Sequence, residues 1–270
     1  MNIEKIFSTI DKDYIVNIRR KLHMYPEIGF NLPNTIALVK SELNDMGINF
    51  TEQYGKSSVV ATINNEKNNF TIGIRADMDA LPVQEINEVP YKSHWDGKMH
   101  ACGHDAHTAM LLATAKTLNQ IKNELNCRVV FLFQPCEEGP DSGAKYMVAD
   151  GVMDNIDIIV GTHVENWLES GTIGICPGMS MASNRPFKIE IFGKSAHATL
   201  PHSGVDALAM ANRVYDSTQH MLAREMDPFA QWVCSIGTMK AGKAYNIIAD
   251  YAEMEGTIRT YHSDVDEYII

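Results

Sequence analysis

The feature that most constrains the fold is an alternation of short, β-rich apolar runs with segments of helical period. Ile15, Ile18 and Leu22, and again Ile36, Val39 and Leu43, have the spacing of an amphipathic helix. Residues 57–63 and 70–74 are short and β-rich, with a polar patch at 64–69 between them that predicts a turn. A helix over about 107–121, a strand at 128–133, a helix near 142–149 and a strand at 156–160 follow. Apolar strands alternating with helices predict an α/β sheet covered on both faces.

After Met179 the pattern changes. Phe187, Ile189 and Ile191 alternate, a helix is predicted over about 205–223, and strands at 232–239 and 250–260. This β-α-β-β order is the start of a split βαβ motif, and Ser263 followed by Asp264, Asp266 and Glu267 reads as the acidic first turn of its next helix. The chain then ends on Ile269 and Ile270, so the expectation is a helix stub with two exposed isoleucines, belonging to a fragment rather than a complete domain.

Composition decides which partners are excluded. Lys and Arg total 23 against 34 Asp and Glu, a net charge of -11, so the attraction that drives binding to nucleic acid or anionic membranes is missing. The acidic residues in the first dozen positions do not form a signal peptide, no segment is apolar enough to span a bilayer, and a cytoplasmic protein is expected. Five cysteines (Cys102, Cys127, Cys136, Cys176, Cys234) without a CxxC pair do not read as a disulfide framework, and most are expected to be buried thiols.

Three polar groups lie at or just past predicted strand ends: Asp77 with Asp79, Glu137 with Glu138, and His163. Open α/β sheets bind ligands along that edge. A fourth group, His100, Cys102, His104, Asp105 and His107, precedes a helix and can join them from a loop. Thiolate, imidazole and carboxylate are the ligands of divalent transition metals. Each group alone has a plainer reading: His163 as a structural histidine, Glu137 and Glu138 as a solvated acidic turn, Cys102 as a buried thiol. Their co-occurrence on one edge favours a site, with His100, Asp105 and His107 as supporting or surface residues.

The ordered strings RRKLHMYPEIGF, GIRADMDALPVQE, MHACGHDAHTAMLLATA, VVFLFQPCEEG, GTHVENW, GKSAHATLPHSGVDAL and GTIRT resemble the metallopeptidase family of aminoacylases, hippurate hydrolase and plant indole-acetyl-amino-acid hydrolases. The resemblance implies a mixed-sheet, zinc-peptidase-like catalytic α/β domain (1–183) with an inserted α+β, ferredoxin-like lid and dimerisation domain (184–270). It further implies two divalent metals, zinc or manganese with cobalt and nickel as alternatives, held by Cys102, His104, Glu138 and His163, with Asp77 supporting the metal site. Glu137 matches the general base, His197 the donor to the developing oxyanion, and Asn246 and Arg259 the residues that hold a substrate carboxylate. For His197 a surface histidine, and for Arg259 a structural ion pair, are the competing readings.

Arg75 stands where many relatives outside this branch have a metal-binding histidine, and Ala249 where proline is usual. A last ligand, a histidine near the C-terminus of the complete protein, has no counterpart, since His197, His202, His220 and His262 all fall in the lid region. Met179, Met181 and the Trp167 region are candidates for an acyl pocket or for core packing. The expected function is hydrolysis of small-molecule N-acyl amino acids by a homodimer joined through its lids. The rivals are a dipeptidase or carboxypeptidase of the same chemistry, and a non-catalytic fragment.

Overall fold

The structure is a computed structural model that describes residues 3–64, 66, 69–139 and 141–270. The turn expected at 64–69 falls partly outside these residues, at Asn65, Lys67 and Asn68. The chain divides into two compact units, Met1–Glu169 and Ser170–Ile270.

The first unit contains α1 (Ile3–Ser8), α2 (Lys12–Met24), α3 (Pro33–Asp45), β1 (Asn49–Thr51), β2 (Val59–Ile63), β3 (Thr71–Asp77), α4 (His104–Gln120), β4 (Arg128–Gln134), α5 (Gly143–Ala149) and β5 (Ile158–Gly161). Asp11 caps α2 by accepting from the Tyr14 amide at 3.0 Å, and α3 opens on Pro33, whose missing N–H costs nothing there. The five strands form one sheet in the order β1-β2-β4-β3-β5. β1, β2 and β4 pair antiparallel, whereas β3 runs parallel to both β4 and β5, so the sheet is mixed.

Alternation along the central strands sorts side chains onto two faces. Val59, Ala61, Val129, Phe131 and Phe133 pack with Ile18, Leu22, Val39, Leu43 and Leu112 of the helices on one face. Val60, Val130 and Leu132 pack with Met147 and Val152 on the other. Phe131 and Phe133 are fully buried, and truncating either to alanine removes about 3–5 kcal/mol. Coverage stops at β5, an edge strand on which Ile158, Ile159 and Val160 are 50%, 47% and 46% exposed.

Boundaries differ from expectation where local geometry overrides apolar period. β2 starts at Val59 because Ser57 takes a left-handed φ of 60°. β5 starts two residues later than expected because Ile156 is still in a turn, its amide bonded to the Met153 carbonyl. α1 and the three-residue β1 are too short to show a period. Among the cysteines, all free, only Cys136 is buried, while Cys102, Cys127 and Cys234 are half-buried and Cys176 is exposed, so the expectation of mostly buried thiols is corrected.

The second unit contains β6 (Arg185–Phe192), α6 (Ala207–Glu225), β7 (Trp232–Ala241), β8 (Tyr251–Thr260) and α7 (Ser263–Ile269). Its antiparallel sheet has the order β6-β8-β7, with a register shift between Ile236 and Thr238. Ala252 and Met254 of β8 face Ala207 and Ala211 of α6, and these small side chains let helix and sheet approach closely. Asp206 caps α6 through the amides of Leu208 and Ala209. α7 begins at Ser263 as expected, with Asp266 held by Arg185. Ile270 is exposed and Ile269 half-buried. No helix among the described residues is long and apolar enough to cross a membrane.

Candidate metal centre

Parallel pairing brings three chain segments to one sheet edge. Asp77 ends β3 opposite Gln134, the end of β4, and Gly161 ends β5 opposite Arg75. The loops that leave these ends carry Asp79, Glu137 with Glu138, and His163. α4 delivers the remaining residues. It begins at His104, three residues before the expected start, because its first turn is polar and its cap is Gly103 in a left-handed conformation (φ 92°). A side chain at position 103 is excluded twice, by that φ and because a Cβ would lie 2.3 Å from Val164 Cγ2. Glycine therefore lets the Cys102–Gly103–His104 turn meet the loop that bears His163.

His104 is fully buried, and neither ring nitrogen has a hydrogen-bond partner. Its Nε2 lies 3.7 Å from Asp77 Oδ2, 3.8 Å from Glu137 Oε2 and 3.9 Å from Glu138 Oε1, and its Nδ1 lies 3.6 Å from Asp79 Oδ1. Buried nitrogens are normally bonded. An imidazole left free among carboxylates just beyond hydrogen-bond reach has the environment of a metal ligand. Cys102 Sγ is 3.3 Å from His163 Nε2. His163 Nδ1 donates to the Val164 carbonyl at 2.7 Å, which leaves Nε2 free to ligate. The ligand atoms of Cys102, His104 and His163 lie within 4.8 Å of one another, as do those of His104, Glu137 and Glu138.

A third group, Asp77, His104 and His107, is equally close, but His107 is already occupied. Its Nε2 accepts the Val164 amide at 2.9 Å, so its Nδ1–H donates to Asp77 Oδ1 at 2.6 Å. The other Asp77 oxygen accepts from Arg75 at 2.7 Å, and Arg75 also donates to Gln134 at 2.9 Å. Asp77, His107 and Val164 thus form a relay that ties the end of β3 to the His163 loop. His107 is a supporting residue, and the spacing of His104 and His107, one helical turn apart, is the signal for it in the sequence.

Of the two expectations for His100, Asp105 and His107, supporting or surface residues, burial of all three removes the surface one. Asp105 accepts from His23 Nδ1 at 2.6 Å and from Arg19 at 2.8 Å, and His23 Nε2 donates to Glu85 at 3.2 Å. This network fixes the first turn of α4 from below. It links RRKLH to GHD through space, which no local pattern reveals. Asp79, grouped with Asp77 at the strand end but given no individual role from sequence, accepts the amides of Glu137 and Glu138 on its carboxylate.

Electrostatics divide the carboxylates. Against the desolvation of its burial, the His107 hydrogen bond and the Arg75 charge hold Asp77 at about 2. Desolvation, with the neighbouring Glu138 charge, raises Glu137 above the usual carboxylate range. Burial and a hydrogen bond with Glu138 push the Cys102 thiol up to about 12, so a metal bound there would displace its proton.

His197, Asn246 and Arg259 belong to the second unit. His197 is exposed, its Nδ1 2.8 Å from Thr199 Oγ1, and the Ala198 amide bonds the Asn246 carbonyl at 3.0 Å, so these two segments are neighbours. Arg259 is exposed on β8 opposite Val233, and no carboxylate among the described residues pairs with it. Trp167, Met179 and Met181 are exposed, which removes the core-packing reading for them.

Over 263 residues the chain is 40% identical to an N-acyl-L-amino acid amidohydrolase of Geobacillus stearothermophilus, covering 97% of this chain and 71% of that protein. It is 42% identical over 247 residues to an IAA-amino acid hydrolase of Arabidopsis thaliana, covering 92% and 56%. The fold superposes with a TM-score of 0.79 on a dinuclear metal binding peptidase of Bacillus subtilis, at 36% identity over 96% of this chain and 68% of that one. Residues 73–269 match the model of peptidase family M20/M25/M40. That span takes in every residue of the metal cluster, and the chain belongs to this family.

Proposed function

We propose that the protein hydrolyses the amide bond of N-acyl amino acids at a two-metal centre formed by Cys102, His104, Glu138 and His163. The observation that carries this reading is His104, a buried imidazole without a hydrogen bond, faced by Glu137 and Glu138 at 3.8 and 3.9 Å. The thiolate and imidazoles suit zinc, and the carboxylates also suit manganese. When bound, two divalent ions would polarise the substrate carbonyl and make water acidic enough to attack near neutral pH.

The chain's own residues supply the proton transfers and the substrate contacts. Glu137 is partly open to solvent, and its raised affinity for protons suits a general base. It takes one proton as water attacks the acyl carbon. The C–N bond then breaks, the proton passes from Glu137 to the leaving nitrogen, and a carboxylic acid and an amino acid result. Asp77 keeps the His163 loop in place through His107. In this reading residues 184–270 form the lid that joins two copies, His197 donates to the developing oxyanion, and Asn246 and Arg259 hold the substrate carboxylate, the guanidinium fork matching its two oxygens.

The family is one of peptidases, which favours peptides as a second substrate class for the same chemistry. A panel of acetyl-, benzoyl- and indole-acetyl-amino acids beside dipeptides separates the two. The test compares metal content and turnover of this chain with those of Glu137→Gln. Retained metal with kcat lowered roughly 10²–10⁴-fold is expected. Unchanged turnover in Glu137→Gln, or absence of bound metal in the parent, overturns the assignment.

A further inference from the structure

We infer that Asp79 is a positioning residue that orients the Glu137–Glu138 pair, and this inference rests on the amidohydrolase reading above. Its carboxylate is fully buried and accepts two successive backbone amides, Glu137 N–H at 2.8 Å on Oδ1 and Glu138 N–H at 3.2 Å on Oδ2. One carboxylate bridging consecutive amides sets the tilt of the peptide plane between them. It thereby sets the directions in which the two glutamate side chains leave the backbone.

The mount of Asp79 is rigid on both sides. The Met78 amide bonds the Gln134 carbonyl at 2.9 Å, the Ala80 amide bonds the Glu27 carbonyl at 2.7 Å, and the Met78 side chain is buried in the core. The glutamates, by contrast, follow a backbone that would not take this course unaided. Cys136, between β4 and Glu137, has a φ of 50°, a conformation uncommon outside glycine, and its side chain is buried with Sγ 3.1 Å from the Asp141 carbonyl. The turn is thus over-determined by its surroundings, and Asp79 is the only carboxylate among the described residues that bonds these two amides.

The consequence is kinetic. Glu137 and Glu138 must divide two tasks between adjacent positions, one moving a proton and the other ligating. Both carboxylates sit at nearly equal distance from His104 Nε2, so rotation of their shared peptide plane would blur that division. A misplacement of about 1 Å in such a constellation costs on the order of 10²-fold in rate. Asp79 also approaches His104 Nδ1 at 3.6 Å, so one side chain indexes the base and two ligands together.

The test is Asp79→Asn, which keeps the shape but turns an NH2 group toward one of the amides. With metals saturating, kcat should fall roughly 10–100-fold while KM stays within about twofold and metal content is unchanged. Hydrogen exchange should quicken at the Glu137 and Glu138 amides and not in β4. A kcat within about twofold of the parent overturns the inference, as does a loss carried by KM alone. If Asp79→Asn does not fold, or if the parent hydrolyses neither acyl amino acids nor peptides and the amidohydrolase reading fails, amide exchange in the parent decides. Protection of Glu137 and Glu138 comparable to that of β4 supports the clamp, and exchange at the rate of an open peptide refutes it.

Discussion

The two sides of the metal cluster are built differently. On the side of β3 and α4, Asp77, Asp79, His104 and His107 are almost wholly buried, and each carboxylate oxygen of the two aspartates accepts a hydrogen bond. On the side of the loops after β4 and β5, the side chains of Glu137, Glu138 and His163 are 42%, 27% and 45% exposed. The first side is a frame set by folding, in which both aspartates and His107 are hydrogen-bonded and His104 alone of the four is left without a partner. The second is partly open to solvent. The difference teaches that the candidate ligands alone do not define the site, because Asp77, Asp79 and His107, none of them a proposed ligand, bond the segments that carry them.

The sharpest way to break this comparison is to remove one histidine from each side. His104→Ala should abolish metal binding and also destabilise the chain by roughly 3 kcal/mol, because it leaves Asp77 and Asp79 lining a buried hole. His163→Ala should abolish metal binding with stability changed by less than about 0.5 kcal/mol, as expected of an exposed position. Thermal unfolding of the metal-free variants, beside their metal content, reads both. Equal destabilisation would mean that the two sides are not distinct.

A smaller effect is expected from acid. Asp77 titrates near 2 in the folded protein against an ordinary value of 3.8. A depressed carboxylate adds stability that is complete above its unfolded value and is lost as pH falls through its folded one. Metal-free protein should therefore lose roughly 2 kcal/mol between about pH 4 and pH 2 through this group. Denaturant midpoints across that range should show the loss, and Asp77→Asn should flatten the slope.

The smallest effect tests the relay between the sides. His107→Phe removes the link between Asp77 and the Val164 amide while filling the space, and metal affinity should drop about tenfold, or 1.4 kcal/mol. Unchanged affinity would show that the His163 loop holds its place without the relay.

Much of this organisation is legible in the sequence because the signals are local. Strands β2 to β5 follow from apolar runs, and the polar residues at their ends follow from the rule that α/β sheets bind ligands at one edge. What escaped had no local signature. Asp79 acts on backbone amides 58 and 59 residues away, which leave no trace in the identity of the residues that own them. Asp105 reads from sequence as a supporting or surface residue, and its partners, Arg19 and His23, come from α2. The left-handed Cys136 breaks the usual association of that conformation with glycine or asparagine, so nothing in the string QPCEEG announced it.

The open face of β5 has a consequence for how the protein behaves in solution. Three adjacent apolar side chains on an edge strand invite a second molecule to pair along it. A net charge of -11 opposes that approach, so colloidal stability depends on a long-range repulsion that dissolved ions weaken. The screening length shrinks from about 30 Å at 0.01 M salt to about 3 Å at 1 M. Light scattering from a concentrated solution should therefore rise with ionic strength, the reverse of salting-in, and Ile159→Lys should suppress the rise.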